Sequence, residues 1–317
     1  MPSSRIKSYL KTRDFEGPCL VVDTKVVSDN YAAYTRAMPN SEFFFAVKAN
    51  PAPKILSLLV GLGSSFDCAS YQEIELVLAA GATPDRISFG NTIKKERDIV
   101  RAHAAGVRLF AVDSIAETEK TARAAPGARV FCRILCACSG AALPLSNKFG
   151  CDCTMATQVL SYAHELGLMP IGVSFHVGSQ QTNISAWDEA LAEAASIFDE
   201  MSKLGIQLCM VNLGGGFPAR YLHEVPSIEV YAKAIHTALN RHFGSEVPRT
   251  MIEPGRGLVG NAGTIRAEVV LVSRKAANDA MRWVYLDVGK FGGLAETMDE
   301  AIRYDIYSSD SDGGMSP

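Results

Sequence analysis

The sequence has no surplus of charge of either sign: 31 Lys and Arg stand against 34 Asp and Glu in 317 residues, for a formal net charge of -3. Such a balance leaves no basic face for nucleic acid or an anionic membrane surface, and neither is expected as a partner. Long hydrophobic runs are also missing. None approaches the roughly 20 apolar residues that cross a bilayer. The opening Met1-Pro2-Ser3-Ser4-Arg5-Ile6-Lys7 lacks the apolar stretch of a secretory signal, so the expected location is the cytoplasm. The cysteines do not carry metal-site spacing either. Of the eight, Cys132, Cys136, Cys138, Cys151 and Cys153 cluster. Their pattern, C-x3-C-x-C followed by C-x-C, is not one of the usual structural zinc arrangements, and they read as reduced thiols in a strand and a loop, with no metal.

What is present is a hydrophobic content of 48% with 21% charged residues, enough to bury a sizeable core. After an opening strand at 19–23, short β-rich runs fall at 43–47, 65–68, 87–90, 109–112, 130–134, 171–177, 208–213 and 250–253. Helical patterns separate them; residues 72–80 place apolar side chains on one face and stop at Gly81. Strict β/α alternation predicts parallel strands, and eight units predict an α/β fold of the (β/α)8 TIM-barrel type, with a doubly wound open sheet as the alternative. Beyond residue 262 the alternation stops. Residues 264–272 and 282–287 read as antiparallel strands of a second, all-β region, with which the strand near residue 20 is expected to pair. The expected organisation is an N-terminal segment at 1–30, a barrel at 31–262, and a partial β domain at 263–317 that looks cut short. The polar stretch 308–317 is expected to be disordered.

A barrel places its chemistry at the C-terminal ends of its strands. The unusual residues fall there: Lys48, Asp67, Gly90-Asn91, Asp113-Ser114, Arg133, His176, Gly214-Gly215-Gly216 and Glu253. Lys48 closes the apolar run Phe43-Phe44-Phe45-Ala46-Val47, where an ammonium is costly unless it is paired, depressed in pKa, or used covalently, as in a Schiff base to an aldehyde cofactor. Three glycines in succession let backbone N–H groups approach a phosphate, and Glu253-Pro254-Gly255-Arg256-Gly257 adds a cation and a carboxylate after the next strand. Lysine, phosphate cradle and carboxylate together describe a pyridoxal 5'-phosphate site in which Glu253 keeps the pyridine nitrogen protonated. His176 suits stacking on the cofactor ring; its bland alternative is a satisfied core histidine.

The segments A-V-K-A-N-P (46–51), F-D-C-A-S (66–70), F-H-V-G-S (175–179), N-L-G-G-G-F-P (212–218) and E-P-G-R-G (253–257) resemble, in order and over residues 15–307, the pyridoxal-phosphate-dependent amino acid decarboxylases of the alanine-racemase-like fold. The likeness is greatest to bacterial ornithine and lysine/ornithine decarboxylases. It implies that Lys48 carries the cofactor and that Asp67 and Glu73 support the lysine and cofactor. Arg133 would belong to the cofactor environment and His176 would stack on the ring. Ser179, Gly214 to Gly216 and Arg256 would hold the phosphate, and Glu253 would bind the ring nitrogen.

On the substrate side, a distal ammonium calls for an acid, and Glu296, in Leu294-Ala295-Glu296-Thr297-Met298-Asp299-Glu300, is the candidate; a solvated helix start is the alternative. The implied reaction is decarboxylation of L-ornithine to putrescine and carbon dioxide, with L-lysine to cadaverine as a second activity, in a homodimer with sites at the interface. Diaminopimelate decarboxylases share H-x-G-S-Q and E-P-G-R and remain an alternative. One departure stands out: the family's C-x-S-x-D segment is absent, since no cysteine follows Cys209. That absence suggests a truncated chain and keeps open a non-catalytic homologue.

Overall fold

The computed structural model describes residues 2–136, 138–143 and 148–308. Fourteen strands occur among them. They are β1 (Cys19–Val22), β2 (Ser41–Ala46), β3 (Ser65–Cys68), β4 (Ile87–Phe89), β5 (Leu109–Val112), β6 (Arg129–Arg133) and β7 (Ala141–Leu143), followed by β8 (Met169–Ser174), β9 (Ser179–Gln181), β10 (Met210–Asn212), β11 (Arg249–Ile252), β12 (Gly263–Arg266), β13 (Val269–Ser273) and β14 (Trp283–Leu286). Eight of these close a parallel barrel in the order β2-β3-β4-β5-β6-β8-β10-β11, with β11 returning to β2. The expected barrel is therefore present and the open sheet is excluded.

Alternation along each strand explains why the barrel closes. In β2, Phe43 and Phe45 turn outward into a large core shared with the surrounding helices. Phe44 turns inward to meet Leu109, Ala111, Phe131, Met210 and Met251, which fill the barrel interior. Gly172 lets β8 pass close to β10, because a Cβ there would lie 1.8 Å from the Met210 carbonyl oxygen.

The helices are stopped and started by local chemistry. Ser70 accepts the Glu73 N–H at the start of the helix Tyr71–Ala79, and Glu73 returns the contact by accepting the Ala69 N–H at 2.7 Å, an arrangement close to a capping box. Ser114 and Asp152 cap the helices Ile115–Ala124 and Cys153–Glu165 in the same way. Gly81, at φ +100°, ends the first of these three, as its sequence position predicts.

Outside the barrel, β1 and β12 pair antiparallel, joining the N-terminal strand to the segment after the barrel. β13 and β14 form a separate antiparallel hairpin whose Val270, Leu271 and Trp283 are 65%, 54% and 47% exposed. The ribbon β7–β9 carries no sequence signal of its own, each strand being three residues long. No helix among the described residues is long and apolar enough to cross a membrane. The expected disorder of 308–317 concerns residues that, apart from Ser308, lie outside the described ones.

Candidate active site

Strand β2 ends at Ala46, and a short 3-10 turn over Val47–Ala49 lifts Lys48 out of the strand. Its side chain is 58% exposed at the strand end although the walls around it are close. The turn directs it into the barrel mouth. There its Nζ lies 3.2 Å from Oδ2 of Asp67, at the end of the neighbouring strand β3. Crowding by the mouth's walls pulls the lysine pKa down, but Asp67, Glu253 and Glu73 outweigh it and the net shift is upward. Surface open to water yet ringed by carboxylates is what a concave ligand site looks like.

Gly90 leaves the space that Asp67 occupies: a Cβ on that glycine would sit 1.9 Å from Asp67 Oδ1. Glu73 stands apart from the lysine's hydrogen bonds, being engaged by the Ala69 N–H, and burial raises its pKa. It reaches Lys48 through its field alone.

Glu253 follows β11 and is bound by the Asn212 side-chain amide, whose Nδ2 donates to Oε1 at 2.5 Å. Burial, then the nearby charge of Asp67, pushes its pKa up to about 7, against the lowering effect of Asn212, Lys48 and Arg133. His176 follows β8. Its Nδ1 accepts the Gly178 N–H at 3.0 Å, so a neutral ring carries its proton on Nε2. Burial and the cations Arg133 and Lys48 drive its pKa down to about 3, and the ring stays neutral across the physiological range.

The glycine run after β10 is built for backbone, not for side chains. Gly214 (φ +65°) and Gly216 (φ +98°) take left-handed conformations, and a Cβ on Gly215 would meet the Glu253 carbonyl oxygen at 2.7 Å. Asn212 also accepts the Gly214 N–H at 2.9 Å. Beside this run, Arg256 Nε donates to Ser179 Oγ at 3.1 Å and Nη1 to the Tyr221 hydroxyl at 3.1 Å.

Glu296 does not stand free to meet a substrate ammonium. Both of its oxygens are taken by Arg256, at 2.7 Å from Nη1 and 2.5 Å from Nη2. Arg256 and Glu296 lie 40 residues apart, so sequence alone gave the acid no visible partner.

The cysteine-rich segment contributes thiol contacts. Cys132 and Cys151 place their sulfurs 3.6 Å apart, and Cys136 Sγ lies 3.0 Å from the His176 carbonyl oxygen. Residues 137 and 144–147 of the same segment lie outside the described residues.

Two buried atoms in this neighbourhood lack a hydrogen-bond partner among the described residues: Asp67 Oδ1 and Arg133 Nε. An unpaired acceptor and an unpaired donor, beside an amine in a concave mouth and a glycine run with no room for side chains, fit a polar, phosphate-bearing aldehyde. Tyr221 is the participant that sequence reasoning missed. Gly90 stood in the sequence as a glycine ending a strand and Asn212 as the first residue of the 212–218 segment, but neither had a visible partner.

A parallel barrel with an amine, two carboxylates and a glycine cradle at its C-terminal mouth defines an enzyme built around a phosphorylated aldehyde cofactor. The family profile for "Pyridoxal-dependent decarboxylase, pyridoxal binding domain" matches residues 24–260, and the chain belongs to that family, whose cofactor is pyridoxal phosphate. It is similar to the lysine/ornithine decarboxylase of Selenomonas ruminantium, with 35% identity over 292 residues, covering 92% of this chain and 73% of that one. It is also 34% identical over 285 residues to antizyme inhibitor 2 of Xenopus laevis, covering 86% of this chain but only 62% of that protein's length. Among solved structures, the lysine/ornithine decarboxylase of Vibrio vulnificus complexed with cadaverine superimposes with a TM-score of 0.87 at 30% identity, covering 99% of this chain and 83% of that one.

Proposed function

We propose that this protein decarboxylates a basic L-amino acid with pyridoxal phosphate, taking L-ornithine to putrescine and carbon dioxide, with L-lysine to cadaverine as a second activity. The observation that carries the reading is the meeting of the Lys48 amine, the Glu253 carboxylate and the neutral His176 ring at one barrel mouth. The names of the Selenomonas and Vibrio relatives support the substrate class.

When bound, pyridoxal phosphate supplies an electron sink for the carbanion left by departing carbon dioxide. The chain's residues are assigned around that chemistry. Lys48 is the residue that would hold the cofactor through its amine. Asp67 keeps the lysine aligned through its hydrogen bond, and Glu73 and Arg133 complete the field around it. His176 would lie against one ring face; its neutrality matters, because an imidazolium would add a third cation to Arg133 and Lys48. Glu253, fixed by Asn212, is the carboxylate that would keep a proton on the ring nitrogen. Gly214 to Gly216, Ser179 and Arg256 would receive the phosphate.

The same reading takes 31–262 as the barrel unit, flanked by 1–30 and 263–317, in a cytoplasmic homodimer with sites at the subunit interface. The β1–β12 pairing supports grouping the two flanks.

Carbon dioxide release from L-ornithine, L-lysine and meso-diaminopimelate, measured side by side with Lys48→Ala as the blank, tests it. Ornithine is expected to rank first. Preference for diaminopimelate would move the protein to that neighbouring activity. Absence of release from all three, with the visible absorbance of bound cofactor intact, would replace the proposal with a non-catalytic, cofactor-binding homologue.

A further inference from the structure

We propose that Glu296 is a positioning residue for the cofactor's phosphate, acting through Arg256. The inference rests on the reading of Arg256 as a phosphate ligand and adds what fixes that ligand in place.

A guanidinium has five N–H donors in a planar fork. In Arg256 four are committed: Nε to Ser179, one Nη1 hydrogen to Tyr221, and one hydrogen from each Nη to Glu296. The paired contact with Glu296 closes the end of the fork. What remains is the second Nη2 hydrogen, on the edge shared with Nε, where Ser179 already sits. The carboxylate thus dictates which edge of Arg256 is left for an anion.

Glu296 is itself held. Its hydrogen bond from Arg256 lowers its pKa against the opposing effect of burial, and a Tyr304 hydroxyl bond adds to the lowering, so it is ionised at neutral pH. Tyr304 packs edge-on against Tyr221 with ring centroids 5.2 Å apart, which places both hydroxyl-bearing rings around the ion pair. Arg256 is 14% exposed and Glu296 41%, so the pair stands at the boundary of the barrel rather than in free solvent. The turn Ala295–Glu300 and Tyr304 are thereby tied to the phosphate end of the barrel by side chains alone.

Two effects oppose each other in this arrangement. Glu296 offsets part of the positive charge of Arg256, which weakens attraction for a dianion, and it removes the rotational freedom that an unpaired arginine would have to lose on binding. Partners that orient metal-binding side chains are typically worth about 10–100-fold in affinity or activity, and with an effect of that order here orientation is expected to prevail.

The test titrates pyridoxal phosphate and, separately, unphosphorylated pyridoxal into wild type, Glu296→Ala, Glu296→Gln, Arg256→Ala and the Glu296→Ala/Arg256→Ala double variant, following the visible absorbance of the bound aldehyde. Glu296→Ala should weaken pyridoxal phosphate binding by about 10-fold or more and leave pyridoxal binding unchanged. Glu296→Gln should recover part of the loss, and the double variant should bind no worse than Arg256→Ala, because the glutamate acts through the arginine. Equal loss for both ligands would show a merely structural role, and unchanged or tighter pyridoxal phosphate binding in Glu296→Ala would show that it does not position Arg256; either overturns the proposal. Should Arg256→Ala itself treat the two ligands alike, Arg256 is not the phosphate ligand, and the underlying reading fails visibly in that variant.

Discussion

Asn212 holds Glu253 with one end of its amide and the first glycine of the cradle with the other: Nδ2 donates to Glu253 Oε1 at 2.5 Å while Oδ1 accepts the Gly214 N–H at 2.9 Å. One fully buried side chain therefore couples the Glu253 carboxylate to the backbone of the glycine run.

Removing that amide has a signed consequence. Its hydrogen bond lowers the pKa of Glu253, which stands at about 7. Asn212→Ala should raise it further, and the acidic limb of the pH profile of kcat/KM should move up by about one unit. A limb that stays in place in this variant would disconnect Glu253 from the acidic side of the profile.

Glu253 also links stability to pH. Its folded pKa of about 7 lies above its ordinary 4.5, so between those values the folded protein binds more protons than the unfolded chain. Stability contributed by this group is then present at the acid end of the window and is lost as pH rises through about 7. In cofactor-free protein, Glu253→Gln should flatten this part of the dependence. Thermal midpoints of the two proteins at several pH values check it, and parallel curves would contradict the assignment.

For chemistry the same substitution has the opposite sign. With Glu253 in the proposed role of partner to a protonated ring nitrogen, Glu253→Gln should lower kcat by about 100-fold or more while the cofactor is retained. Single-turnover rates with matched cofactor occupancy separate the two effects. Unchanged turnover would refute the role given to Glu253.

Gly90 has no room for a side chain on the Asp67 side, where a Cβ would lie 1.9 Å from Oδ1. Gly90→Ala should push Asp67 off Lys48, weaken cofactor binding, and destabilise the fold by roughly 1–3 kcal/mol, the usual cost of overpacking. Denaturant unfolding and the absorbance of bound cofactor report the two losses separately.

Lys94 provides a stability test away from the site. Its side chain is 0% exposed, and its Nζ lies 3.0 Å from Glu117 Oε1. Burial brings its pKa down to about 8 despite Glu117, which shows how strongly the charge depends on its partner. Glu117→Ala should cost about 3–5 kcal/mol, because it leaves the buried ammonium with the Asn91 and Ala111 carbonyls and no counter-charge on Glu117, and Lys94→Met in the same protein should return much of that loss. Equal unfolding free energies for the single and double variants would show that the charge was not the cause.

Much of the barrel was legible because its signals are local. Phe43, Phe44 and Phe45 announce a strand buried on both faces, and each of the eight barrel strands appears within a few residues of its expected place. The ribbon β7–β9 escaped notice, since three residues cannot display a period. Lys48 was found from the apolar run that it closes, but the 3-10 turn over Val47–Ala49 that points the amine into the barrel mouth was not visible there.

The site divides along the same line. Lys48, Asp67, His176, the glycine run and Glu253 could be named from the sequence because barrel strands deliver their C-terminal ends to one place, and a residue's position at a strand end is a local property. What the tertiary structure alone decided is who meets whom across long separations. Asn212 reaches Glu253 across 41 residues, Arg256 reaches back 77 residues to Ser179, and Glu296 spends its charge on Arg256 rather than facing a substrate. A carboxylate's role is set by the cation within a few ångströms of it, and that neighbour is fixed by closure of the barrel and the path of the chain beyond it, which no spacing along the sequence encodes.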